Sequence, residues 1–222
     1  LPSSLQGTLV SFSFMFLTRL ANDIGGIAGS TALSIAGKVN SVAILPAIAM
    51  QASVSSMAGQ NLGAKKPERA LKTMFIAIAL AFAFSTAVFA LVQTFTGEIV
   101  TLFIGTGNTD LPAEVVEQCI QASREYIRYF SYDYFVVSFV FNINGLAIGA
   151  GQTLFSLFNA CTSSLFLRVP VAWIFGIRLG WGLKGVALAA PIASLGALVF
   201  GIVYLLTGKW RISSIKCIRL AD

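Results

Sequence analysis

Residues 71–92 read LKTMFIAIALAFAFSTAVFALV, and Lys72 is the only charge in the run. A helix rises ~1.5 Å per residue, so ~20 such residues cross the ~30 Å hydrocarbon core of a bilayer. Apolar runs of about this length recur along the whole chain. That recurrence limits the fold more than any single motif does. The chain is 56% hydrophobic and 11% charged, has no histidine, and its mean hydropathy is +0.82. A soluble chain of 222 residues cannot hide that much apolar surface. The fold class expected is therefore an all-α membrane protein that crosses the bilayer several times.

Punctuation between the runs gives six spans, at residues 6–24, 27–60, 70–94, 118–148, 154–175 and 186–206. They make up a transmembrane unit over residues 1–208, followed by a basic tail at 209–222. The second span is too long for one straight crossing, so it must tilt, bend at Pro46 or project from the membrane. A fourth helix starts near Ala113 with two wet, charged turns and continues to the tight turn GAGQT. Bends are expected at Pro46, Pro170 and Pro191, where neighbouring helices can re-satisfy the freed carbonyls. The eighteen phenylalanines are expected against lipid or in the core.

The stretch SMAGQNLGAKKPERA, residues 56–70, sets the orientation. With this loop inside, the inner side carries eight cations (Lys65, Lys66, Arg69, Lys72, Lys209, Arg211, Lys216 and Arg219) against Glu68 and Asp222. The outer side has five cations against six acids. The positive-inside rule then places both ends of the chain in the cytoplasm and the spans in a plasma (inner) membrane. The net charge of +6 is an orientation signal with some attraction to anionic lipid, and nucleic acid is not implied. Pro67 suits the first turn of the third helix, and Gly59 and Gly63 let the preceding helix end sharply.

Enzymatic chemistry finds no support. There is no metal-ligand cluster and no phosphate-cradling glycine loop followed by Lys and Ser or Thr. Cys119, Cys161 and Cys217 are odd in number and widely spaced, so neither a disulfide framework nor a zinc site follows. No cofactor and no catalytic residue is expected.

Ionisable groups at membrane depth cost about 2.5–3.5 kcal/mol each on insertion scales, so they face a cavity or a partner. Lys38, Asp133 and Arg168 are such groups, with Arg19 marginal. Counting ~1.5 Å per residue puts all four roughly 22–33 Å from the cytoplasmic boundary, in one outer band. Two readings stand. A Lys38–Asp133 or Arg168–Asp133 pair holds helices together while Arg19 snorkels, or these charges serve transport directly. On the fourth helix Tyr134, Ser138, Asn142, Gly145 and Gly149 share one face, with Asp133 and Asn144 on the next. That stripe lines a watery cavity or packs against another helix, and the cavity reading is slightly favoured. Gln51, with Ser55 one turn on, and more weakly Gln6 are candidates to join it.

Several stretches together carry a family resemblance. MQASVSSMAGQNLGAKKPERA is similar to the segment joining the second and third helices of the carboxy-terminal lobe in MATE (multidrug and toxic compound extrusion) transporters. LPSSLQGTLVSFSFMFLTRL resembles the first helix of that lobe, and LFIGTGNTDLPAEVVEQCIQASREYIRYFS the outer loop and entry to the fourth. LAIGAGQT resembles its exit turn, and LRVPVAWIFGIRLGWGLKGVALAAPIA the last helical pair. The resemblance covers nearly the whole chain in the right order. It implies one six-helix lobe of a twelve-helix transporter, with the amino-terminal lobe as its partner. Leu1 falls inside the first helix pattern, so the chain reads as a fragment.

Sodium-binding members use a glutamate on the first helix of this lobe and an aspartate on its fourth. Here the first helix has no acid between Leu1 and Asn22, and Val137 occupies the aspartate position. The resemblance therefore implies that the coupling ion, H+ or Na+, binds an acid of the amino-terminal lobe.

Three functions fit. The first is half of a cation-coupled efflux antiporter for small amphipathic, often cationic molecules. The second is a flippase or exporter of a lipid-linked or anionic substrate. The third is a non-transporting membrane interaction module. The orientation is tested by impermeant thiol labelling of single-cysteine variants lacking the native cysteines. A probe at Asn108 is expected to label from outside and one at Lys66 to stay unlabelled; the reverse pattern overturns the assignment.

Overall fold

A computed structural model describes residues 2–105 and 112–211, with side chains over 7–104 and 112–211, and in these residues all regular structure is helical. Helix α1 (Pro2–Ala43) is two limbs of a hairpin, because Gly26 (φ 55, ψ −139) leaves the helical region. The limbs run side by side. A Cβ on Gly37 would sit 3.2 Å from the Phe14 ring, and one on Gly29 would overlap the Ala21 carbonyl. Such a φ/ψ pair is open only to glycine, so the DIGG stretch is a reversal of a single residue.

Helix α2 (Leu45–Gly63) follows a break at Ile44, with a bend of 43° between the two helices. Pro46 lies in the first turn of α2, where its missing N–H and its ring interrupt the helical ladder. The bend expected in the long second span is present. Lys65 (φ 58), rather than Gly63, takes the left-handed conformation that ends α2. Gly59 has a different task from helix termination: the Gly149 carbonyl passes 3.4 Å from where its Cβ would be. Pro67 opens α3 (Pro67–Thr94) from a position that needs no N–H.

Helices α4 (Thr96–Gly105), α5 (Ala113–Phe130) and α6 (Asp133–Gly149) follow. The single span expected at 118–148 is thus interrupted at Ser131 and Tyr132. Helix α7 (Thr153–Cys161), a π turn (Thr162–Leu167), α8 (Arg168–Trp173) and a second π turn (Ile174–Arg178) form one rod of 26 residues. Pro170 supplies no N–H, and the Arg168 N–H reaches back five residues to the Ser163 carbonyl. A widened turn absorbs the defect where a bend was expected. Helix α9 (Gly182–Leu206) continues through Pro191. Among the described residues α3, the 153–178 rod and α9 are each long and apolar enough to cross a membrane, and α1 with α2 qualifies as one bent pair.

Helix α6 is the centre of the bundle and packs against α2, α3 and α9. It is buried nearly all round, from Asp133 to Gly149. Its approach to α2 leaves no room for a side chain. A Cβ on Gly145 would stand 2.7 Å from the Gln51 carbonyl oxygen, and one on Gly149 2.5 Å from that of Ser55. On α9, Gly185 in the same way admits the Phe175 backbone. Lipid tails are as apolar as Leu, so close van der Waals packing of small residues, and not expulsion of water, joins such helices. The outer faces keep large apolar groups exposed, Phe12, Phe84, Phe166 and Val199 among them.

Replacing Gly145 by Val is expected to destabilise the bundle by roughly 1–3 kcal/mol, the usual range for overpacking. The loss is read as reduced monodisperse protein after detergent extraction. Gly63→Ala, where no atom lies within 4 Å, is expected to extract like the native chain.

Candidate functional site

The break at Ser131–Tyr132 makes Asp133 the first residue of α6 and leaves it 7% exposed. Arg168 opens α8 directly after the first π turn. Its guanidinium lies over the Phe130 ring, 5.6 Å from the centroid, and acts electrostatically on Asp133. The two do not form an ion pair; among the described residues that contact is made by Lys184 and Glu125, at 2.9 Å. Ser194 of α9 lies near the Asp133 carboxyl group. Tyr126 and Tyr134 lie within electrostatic reach of the same carboxyl.

The centre is short of hydrogen bonds. Asp133 Oδ1, Arg168 Nε and the hydroxyls of Tyr126 and Tyr134 are all buried without a partner. A buried charge stripped of water is held by whatever opposite charge and dipoles surround it. For Asp133 these are the Arg168 guanidinium, the Ser194 hydroxyl and the amino-terminal end of α6.

Of the two pairings expected for Asp133, the structure brings Arg168 to it and leaves Lys38 away. Lys38 is exposed and stands over the Phe103 ring at 5.7 Å. Arg19 is exposed as well. Tyr126, Phe130 and Ser194 were not anticipated. Tyr126, Phe130 and Tyr134 do recur every four residues, and that spacing was the available signal.

The polar stripe is placed differently from the cavity reading. Tyr134, Ser138, Asn142, Gly145 and Gly149 are all buried between helices. Ser138 Oγ is 2.7 Å from Ser85 Oγ of α3, and Asn142 Nδ2 donates to the Ser138 carbonyl at 2.7 Å. Next to the stripe, Asn159 of α7 donates to Asn144 at 3.1 Å. Gln51 and Ser55 meet the stripe through their carbonyls, which press on Gly145 and Gly149. Glycines bring α2 and α6 too close for a column of water, so the stripe is a packing surface. The Gln6 side chain lies outside the described residues.

This all-helical lobe, built round one short buried helix, has the fold of a little under half of a MATE transporter chain. The MatE family model matches residues 2–174, and the chain belongs to that family. A curated relative, the probable multidrug resistance protein YpnP of Bacillus subtilis (strain 168), is 23% identical over 213 residues; the match covers 95% of this chain and 44% of that protein. The crystal structure of MATE in complex with MaL6 superposes with a TM-score of 0.83 at 26% identity, covering 96% of this chain and 45% of the other. A MOP superfamily transporter from Pyrococcus furiosus Vc1 gives a TM-score of 0.83 at 25% identity, again over 96% and 45%. The chain thus spans less than half the length of these relatives.

Asp133→Asn and Arg168→Gln are each expected to lower the yield of folded protein about fivefold or more, since each leaves an unbalanced buried group. The double variant is expected to recover part of that loss, and Lys38→Gln to have no effect. Fluorescence-detected size exclusion reads all four. Additive losses in the double variant would separate the two residues.

Proposed function

We propose that this chain is the carboxy-terminal half of a cation-coupled MATE-type efflux antiporter, driven by protons or sodium, that exports amphipathic and often cationic compounds. The observation that carries the reading is the alignment of 96% of the chain with 45% of a MATE transporter at a TM-score of 0.83. That leaves a second lobe of similar size to supply the opposing wall. Transport then proceeds by rocking the two lobes about a site between them. The lobe sits in a plasma (inner) membrane with both ends of this chain in the cytoplasm.

The coupling acid belongs to the opposing lobe. In this reading Asp133, buried at the start of α6, serves the packing of its own bundle. A second reading, export of an anionic or lipid-linked substrate, is favoured by the exposed cations Arg19 and Lys38.

The test uses the two-lobed protein in inverted vesicles. A cationic dye is expected to be pumped when a proton or sodium gradient is imposed, and transport of an anionic dye instead would favour the second reading. Vesicles holding residues 1–222 alone are expected to stay at background. Pumping by that chain alone would overturn the two-lobe requirement and indicate paired copies.

A further inference from the structure

An open cleft of about 700 Å³ lies between the end of α3, the start of α4 and α5, at the end of the lobe that carries the Gly26 turn. Arg124 and Arg128 line it, one helical turn apart on α5 and both exposed. No ion pair ties up either arginine among the described residues. Glu125, the carboxylate in the lining, is already neutralised by Lys184 of α9 at 2.9 Å. The cleft therefore presents two positive charges with their local counter-charge removed.

The cleft is held in shape. Gln93 of α3 donates to the Arg128 carbonyl at 3.2 Å and to Ser131 Oγ at 3.1 Å, which fixes the end of α5 against α3. Gly97 gives the Arg124 guanidinium its seat, since a Cβ there would be 3.0 Å from Arg124 Nη2. Neighbouring turns of a helix put Cβ atoms about 5–6 Å apart, so both long side chains are within reach of one bound group. Planar forks match the oxygens of a phosphate.

A second observation says what carries the phosphate. Tyr132, in the cleft lining and half exposed, packs on Phe89 with ring centroids 5.3 Å apart. Phe89 meets Phe135 at 4.8 Å, Phe135 meets Phe82 at 5.5 Å, and Phe82 meets Phe139 at 5.8 Å. This aromatic row runs along the α3–α6 seam away from the polar cleft. Tyr129 in the lining and the exposed Trp181 nearby mark the same level as a membrane–water interface, where such rings collect. We propose that the cleft and the aromatic row form a binding site for a phospholipid with an anionic headgroup, the phosphate between Arg124 and Arg128 and an acyl chain along Phe89, Phe135 and Phe82. Asp133, Arg168, Tyr126 and Tyr134 are not among the residues that line the cleft.

The test is native mass spectrometry of the protein in detergent, titrated with dioctanoyl phosphatidylglycerol, dioctanoyl phosphatidylcholine or inorganic phosphate. Phosphatidylglycerol is expected to bind the native protein in preference to the other two. Arg124→Gln with Arg128→Gln is expected to weaken it about thirtyfold, as for two cations near a charged headgroup. Phe89→Ala is expected to weaken it about threefold, by removing apolar contact. Lys65→Gln with Lys66→Gln, at the opposite end, is expected to leave binding unchanged. If the double arginine variant does not yield folded protein, Arg128→Gln alone is read, with about a fivefold loss expected. Equal binding of the two lipids, native affinity in the arginine variants, or loss in the lysine variant overturns the site. Inorganic phosphate binding as tightly as the lipid overturns the lipid as its occupant.

Discussion

The bundle depends on how closely α6 can approach α2. At Gly145 and Gly149 the carbonyls of Gln51 and Ser55 occupy the space a Cβ would need. Two backbones at that distance gain dispersion contacts along their length, the main attraction left to helices that share a lipid solvent. With α2 seated, α3 and α9 close over the other faces of α6, and Ser138, Asn142 and Asn144 are sealed in. Ser138 Oγ, Asn142 Nδ2 and Asn144 Oδ1 then find partners in Ser85, in the Ser138 carbonyl and in Asn159, while Asn142 Oδ1 stays without one. The hydrogen bonds follow from the close packing, because only packed helices bring those groups within reach.

Sequence made the helices legible and their interruptions less so. Apolar length identifies spans, since that signal sums over ~20 residues. A break is decided by one or two residues and by tertiary packing. Nothing in Ser131–Tyr132 is a strong breaker, so one span was expected where α5 and α6 are distinct. Gly63 looked like a helix stop, yet Lys65 carries the positive φ. The polar stripe was legible as a face, and its composition did suit water. What the pattern could not give was the partner across it. Glycine spacing carried that information, and Gly145 and Gly149 were already members of the stripe. Asp133 and Arg168 were legible as charges inside apolar helices, and the structure brings them near each other without an ion pair. The tyrosines around them were hidden, because their role comes from two helices meeting at a break.

The π turn at Thr162–Leu167 shows how a defect sets the position of a charge. Pro170 has no N–H to give to the carbonyl four residues back, so the ladder around it must either open or bend. The structure widens the preceding turn, and the Arg168 N–H bonds the Ser163 carbonyl. One extra residue in a turn rotates everything beyond it by ~100° relative to an unbroken α-helix. Arg168 is the first residue beyond. In unbroken α register its guanidinium would leave from another face of the rod. In the widened register it comes to rest over Phe130 and beside Asp133. The two side chains are therefore placed by two separate irregularities, the break that starts α6 and the widened turn that starts α8. Among the described residues, four of the nine buried polar atoms without a partner belong to this one cluster. In the Asp133 centre, charge and helix ends substitute for the hydrogen bonds that hold the stripe.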